Sequence, residues 1–166
     1  MEVPSKIAEE QFDISIAYDG TWLHQGSPMT RMPLVRLFAT VLQRDAAGDY
    51  WLITPAERGR ITVADAPFIA TGWRIEARGE GQSLYLTDNL GREVAVDDAH
   101  PLTLRMPRTG GGTFVPYHPL GGGVEARLGT AVYYDLVNLA LEQGKPDAAG
   151  RLQIRSCGAE HPLGVS

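Results

Sequence analysis

Few side chains in this sequence are suited to chemistry. Histidine titrates near neutrality and is the commonest metal ligand, and the chain has four: His24, His100, His118 and His161. No two stand at helical or hairpin spacing, which gives a metal centre little support. His24 is the only histidine on its short extended segment, and His100 precedes Pro101 in a turn. His118 and His161 are each followed by proline and read as loop residues. The plainer reading of each is a hydrogen-bonded structural histidine. The single Cys157 excludes an internal disulfide framework and a cysteine-based zinc cluster, and it offers no obvious nucleophile.

The carboxylates and arginines say more. Glu57 follows Thr54-Pro55 where a strand leaves its sheet, and Asp65 precedes Ala66-Pro67 after another. Strand ends are where side chains from several elements converge. With Arg31 nearby they would form a polar pocket, and a guanidinium fork suits a carboxylate or phosphate. The plainer readings are that Asp65 caps its own turn and that Glu57 pairs with Arg58 or Arg60 at the surface. Arg36 flanks the same helix as Arg31, one step off its apolar stripe. Trp22 and His24 share one face of a strand and Leu23 the other. If the leucine face is the core, the indole and imidazole form a stacking platform for a planar ligand. Several signatures are absent: no P-loop, no Rossmann fingerprint and no nucleophile elbow. Glycines 110–112 and 121–123 offer backbone N–H groups to an anion but read first as loops.

The elements that must position these residues follow from periodicity. Phe12 to Tyr18 alternates as a half-buried strand. Asp19-Gly20 predicts a two-residue hairpin turn, with Thr21 to Gln25 returning. Leu34, Val35, Phe38, Val41 and Leu42 make one helical stripe, capped by Thr30, with Pro33 in the first turn, ending near Asp45. Strands follow at Tyr50–Thr54, Arg60–Val63, Phe68–Arg78, Ser83–Thr87, Glu93–Val96 and Leu102–Met106. Their spacing suggests an antiparallel sheet curling into a partial barrel. A second helix carries Leu128, Val132, Leu136, Leu139 and Ala140, weakened at Gly129 and closed at Gly144. Leu152–Arg155 is a last strand.

Both helices run into Asp-Ala-Ala-Gly and then a short strand, which reads as a duplicated strand–helix–strand unit with an extra sheet between the copies. The chain of 166 residues is 43% hydrophobic and 21% charged, with net charge −5. That composition excludes global disorder, no stretch approaches the ~20 apolar residues of a membrane span, and a pI near 5.3 argues against a non-specific nucleic-acid binder. The start of the chain, Met1 to Lys6, lacks a signal pattern, so the expected location is cytoplasmic.

Asp19-Gly20-Thr21-Trp22, His24, Arg31, Thr54-Pro55, Glu57, Asp65-Ala66-Pro67-Phe68, Thr87-Asp88-Asn89, His100-Pro101-Leu102 and Pro116-Tyr117 resemble an uncharacterised bacterial family, the domain-of-unknown-function 1285 group. The resemblance implies a two-domain, internally duplicated α+β protein whose second domain looks like a pleckstrin-homology (PH) barrel closed by a helix. It also implies a small, nucleotide-like ligand and a signalling role. The chain departs from the family at Gly121-Gly122-Gly123, where the family carries basic residues, which weakens the case for a phosphate-bearing ligand.

The resulting expectation is an α+β protein of two similar subdomains, residues 1–66 and 67–166. Each has a mostly antiparallel sheet and one main helix, and the second is a partial PH-like barrel. The expected role is non-catalytic and regulatory: binding a small molecule in a cleft between the subdomains. Trp22 and Phe68 would pack the ligand's flat face, and Arg31 would meet its negative charge. Thr54, Glu57, Asp65 and Asn89 would bond its edge, with His24 and His100 completing the set. The alternatives are a hydrolase using His24 or His100 with Asp65 or Glu57, and a protein-interaction module.

Overall fold

The computed structural model describes residues 9–108 and 112–165. The first eight residues and the glycines at 110 and 111 lie outside that range. The described chain divides into two units, Met1–Pro67 with Gly122–Val124, and Phe68–Gly121 with Glu125–Ser166.

The first unit is a six-stranded sheet. Strands β1 (Glu9–Ile16), β2 (Trp22–His24) and β3 (Ser27–Pro28) are followed by helix α1 (Met32–Thr40), then β4 (Leu42–Arg44), β5 (Tyr50–Ile53) and β6 (Arg58–Val63). The spatial order is β3-β2-β1-β6-β5-β4. All neighbours are antiparallel except the central pair, where Ser15 faces Thr62 and Ile16 faces Val63 in parallel register. Asp19-Gly20 does turn the chain, in a loop one residue longer than expected. Ala17 and Thr21 still pair, Gly20 takes φ +89°, and Asp19 Oδ1 accepts the Thr21 N–H at 3.0 Å. A glycine in the left-handed position of a three-residue loop is the next commonest hairpin solution.

Helix α1 is shorter than its apolar stripe. Thr30 does not cap it; Arg31 is the N-cap residue, without a side-chain cap bond. Thr40 Oγ1 donates to the Leu37 carbonyl at 2.6 Å, and Val41 closes the last turn. Leu42 leaves the helix because pairing with Leu52 gives it a buried place in the sheet, a tertiary contact that overrides periodicity.

The second unit repeats the sheet. Strands β7 (Phe68–Arg78), β8 (Gly81–Asp88) and β9 (Glu93–Ala95) run outward, and β10 (Thr103–Arg105), β11 (Val115–Gly121) and β12 (Val124–Leu128) run inward. The order is β10-β11-β12-β7-β8-β9, and the central pair is again the first and last strand in parallel, Phe68 facing Ala126 and Leu128 facing Ala70. Helix α2 (Thr130–Gln143) and a hairpin of β13 (Arg151–Ser156) and β14 (Ala159–Val165) follow. α2 packs on β7, β13 and β14.

The architecture is therefore two similar six-stranded sheets with one helix each, the second sheet curled into a half-barrel. The repeat is assembled differently from the strand–helix–strand expectation. What lay between the proposed copies is the second copy of the sheet, and the helices do not correspond: α1 falls between β3 and β4, whereas α2 follows the last strand of its sheet. The shared Asp-Ala-Ala-Gly has a local cause. At 45–48 and 147–150 the aspartate carbonyl accepts the glycine N–H, at 3.0 and 2.9 Å, and the glycine takes positive φ. Asp88-Asn89-Leu90-Gly91, outside the proposed repeat, makes the same turn. Aspartate first and glycine last is turn chemistry.

Glycines 121–123 form the tight connection from β11 to β12, with Gly121 the last residue of β11, and all three have positive φ. One further reading is corrected. Gly129 is the N-cap residue of α2, not an interior position, and Leu128 belongs to β12. Val132, Leu136 and Ala140 form the helix's buried stripe, with Leu139 half-buried.

Candidate functional site

In the first unit, His24 and Arg31 line one recess of about 250 Å3 with Ser27, Met29, Thr30 and Leu34. Local sequence explains the shape. Gly26, at φ +79° with open space around it, breaks the chain between β2 and β3, and α1 starts shortly afterwards at Met32 with Pro33 in its first turn. The recess is the gap between that short hairpin and the first turn of the helix. Its walls hold one permanent cation, one imidazole and two hydroxyls. The first turn of α1 holds no acidic residue.

The other residues expected at the site are in different settings. Trp22 is in the core, so the leucine face is not the core face: its indole is 2% exposed and stacks on Phe38 at 6.5 Å between centroids. Its Nε1 is buried with no hydrogen-bond partner among the described residues. Thr54 and Glu57 form a turn in which Thr54 Oγ1 accepts the Glu57 N–H at 3.1 Å, while the Glu57 side chain is exposed. Asp65 is fully buried. Arg58 and Arg60 do not pair with Glu57. They lie over the Trp51 ring, at 4.1 and 4.8 Å, and Arg60 also meets Asp49. The Trp51 Nε1–H donates to Asp45 Oδ2 at 2.9 Å, and that bond holds the Asp45 carboxyl below its ordinary value.

In the second unit, Phe68 is fully buried under the Arg92 guanidinium, 4.1 Å from its ring, and Arg92 Nε reaches Asp88 Oδ2 at 2.9 Å. Asn89 is occupied structurally. Its Oδ1 accepts the Ile69 N–H at 3.0 Å and its own N–H donates to the Ile69 carbonyl. A side chain as buried as Trp22 or Phe68 has no free face for a ligand. The structure thus brings together His24 and Arg31 of the nine, and it joins Thr54 with Glu57 in a turn.

His100 does meet a carboxylate, but it is Asp97 rather than Asp65 or Glu57, with Nδ1 to Oδ1 at 2.9 Å. The same Oδ1 accepts the backbone N–H of Ala99 and of His100. Burial pushes Asp97 up, and these bonds from His100 and Ala99 outweigh it, leaving the carboxyl below its usual range. The pair closes the crossover between β9 and β10. His118 and His161, expected in loops, are buried in β11 and β14. His161 Nδ1 accepts the Leu102 N–H, which places its proton on Nε2, facing the Ser156 carbonyl at 3.3 Å. His118 Nε2 donates to the Ala95 carbonyl at 3.1 Å. Burial holds the His118 imidazole down at about 4. The sequence signal for both was the apolar company of Val115, Tyr117 and Leu163, hidden by the prolines that follow each histidine. No group of three metal-ligating side chains converges among the described residues.

The comparisons agree with this two-part architecture. The N-terminal domain of the family called Domain of unknown function (DUF1285) matches residues 4–66 and its C-terminal domain matches 67–163. The chain belongs to the DUF1285 family. A DUF1285 family protein from Silicibacter pomeroyi DSS-3 is 30% identical in sequence, superposes with a TM-score of 0.83, and is matched over 96% of this chain and 84% of that one. A DUF1285 family protein from Shewanella baltica OS155 is 26% identical, with a TM-score of 0.59, over 76% of this chain and 91% of that one. No curated protein matches the chain. No described helix of this DUF1285 protein is long and apolar enough to cross a membrane.

Proposed function

We propose that this DUF1285 protein is a non-catalytic, regulatory small-ligand-binding protein, and that the recess holding His24 and Arg31 takes the anionic end of its ligand. The observation that carries the reading is that juxtaposition: a guanidinium and an imidazole in one recess with the hydroxyl-bearing Ser27 and Thr30. Guanidinium forks bind carboxylate or phosphate in two-point geometry. At about 250 Å3 the recess is below the ~300–1,000 Å3 usual for a whole drug-sized ligand. It suits a free carboxylate or phosphate, or the charged end of a larger nucleotide-like molecule. The stacking role expected of Trp22 and Phe68 is not part of this proposal, because both rings are enclosed.

The test is a thermal-shift and calorimetry screen with inorganic phosphate, simple carboxylates and nucleotides. A ligand that binds only the folded chain raises Tm. The expected result is a rise with at least one anion that Arg31→Ala abolishes and His24→Ala weakens. Both side chains are exposed, so both variants remain folded. No rise with any anion, or a rise that Arg31→Ala leaves intact, overturns the reading. The hydrolase alternative keeps one supporting contact, His100 with Asp97. Ester hydrolysis lost in His100→Ala would favour it.

A further inference from the structure

The second unit carries a larger recess, about 390 Å3, at the C-terminal end of α2. Three segments line it: the turn into β8 with Glu80, the chain after α2 with Lys145 and Asp147, and the β13–β14 hairpin with Arg151, Arg155 and Glu160. Along β13, Leu152, Ile154 and Ser156 are buried and Arg151, Gln153 and Arg155 alternate with them on the exposed face; the recess takes those three together with Leu152 at the strand's edge of the core. One wall is fixed by a reciprocal amide pair. Gln82 Nε2 donates to Gln143 Oε1 at 3.0 Å, Gln143 Nε2 donates to Gln82 Oε1 at 2.7 Å, and Gln82 also donates to the Arg155 carbonyl at 2.9 Å. This ties the helix end, β8 and β13 together around the cavity.

The charges of the lining cancel: Glu80, Asp147 and Glu160 against Lys145, Arg151 and Arg155. Asp147 and Arg151 are already spent on each other at 2.9 Å, with Asp147 Oδ1 also accepting the backbone N–H groups of its turn. The side chains of Glu80, Lys145, Arg155 and Glu160 have no hydrogen bond or ion pair among the described residues. Arg155 and Glu160 face each other across the hairpin. The last turn of α2 has no basic residue, so its carbonyl end adds negative potential at that wall.

We propose that this recess binds a small zwitterion, an amino acid or dipeptide with both termini free. Its ammonium meets Glu80, Glu160 and the carbonyl end of α2, and its carboxylate meets Lys145 and Arg155. Gln153 offers an amide to the ligand's own polar groups. A nucleotide or other net anion gains from Lys145 and Arg155 and loses to Glu80 and Glu160. A ligand carrying both signs gains at each.

The experiment is an amide-resolved NMR titration with glycyl-glutamine, repeated with its N-acetylated form, its C-amidated form and inorganic phosphate. The expected result is shifts at residues 143–155, with the free dipeptide at least about tenfold tighter than either blocked form. Arg155→Gln and Glu160→Gln should each weaken it at least about fivefold, while Arg31→Ala should have no effect. Both substituted residues are exposed, and unchanged spectra away from the recess verify the fold. Unmoved amides up to about 10 mM dipeptide, equal binding of the blocked forms, or tighter binding of phosphate overturns the proposal.

Discussion

His118 should make this protein acid-sensitive over a defined interval. The ring is 1% exposed, donates from Nε2 to the Ala95 carbonyl, and faces His100, Asp97 and His161. Burial lowers its pKa from 6.5 to about 4; the Ala95 bond and Asp97 oppose this, and the other two histidines reinforce it. In the unfolded chain the imidazole takes its proton near 6.5, while the folded chain refuses it until about pH 4. The unfolded state therefore binds more protons between those values, and stability falls as pH drops. The stabilisation is complete above 6.5 and gone below about 4. At ~1.4 kcal/mol per unit the interval is worth about 3 kcal/mol. Urea denaturation of the wild type and of His118→Phe from pH 7.5 to 4 measures it. The phenylalanine leaves the Ala95 carbonyl unpaired, a cost of about 1–3 kcal/mol that does not vary with pH. The paired carboxylates titrate in both proteins and cancel in the difference. The expected result is that the wild-type advantage shrinks by about 3 kcal/mol on acidification. Parallel pH profiles, or a His118 resonance titrating above 6, would refute the reasoning.

Other perturbations have equally definite outcomes. A Cβ at Gly129 would lie 2.8 Å from the Ala70 carbonyl oxygen, which accepts the Gly129 N–H; Gly129→Ala should cost about 1–3 kcal/mol by thermal denaturation. Gly144 has extended backbone and open space around it, so Gly144→Ala should be neutral or stabilise by up to about 1 kcal/mol in the same assay. Ser156 Oγ donates to the Val96 carbonyl at 2.6 Å and accepts the Leu84 N–H at 2.8 Å, all buried. Ser156→Ala strands both and should cost about 1–3 kcal/mol, with hydrogen exchange rising at Leu84.

Where local signals acted alone, the sequence could be read closely. Phe68–Arg78 is a strand from end to end, and Val132, Leu136 and Ala140 are the buried stripe of α2. Where distant pairing decides, it could not. Val115 to Gly121 carries two prolines and ends in the first of three glycines, poor strand material, yet it lies between β10 and β12 in the sheet. Leu42 fits the helical stripe and still joins β5. The candidate site was legible only in part. Arg31 and His24 are drawn together by a Gly-Ser-Pro break visible in the sequence. Trp22, Phe68 and Asn89 looked functional because their types are versatile, and burial or backbone bonding has claimed them. The recess at the end of α2 depends on which face of β13 the core takes, a choice set by Leu152, Ile154 and Ser156 together.

Each sheet joins its earliest strand to its latest along the middle, Ile16 beside Val63 and Phe68 beside Ala126. During synthesis, the flank that will become the centre of each layer must wait unpaired until the final strand emerges. Pairing so far apart along the chain folds slowly, and an open flank invites the wrong neighbour. A ribosome stalled after β8 would expose the side of Phe68–Ala70 that β12 covers in the finished protein. Interrupted chains of this family should therefore clump, whereas completed ones close their own seam.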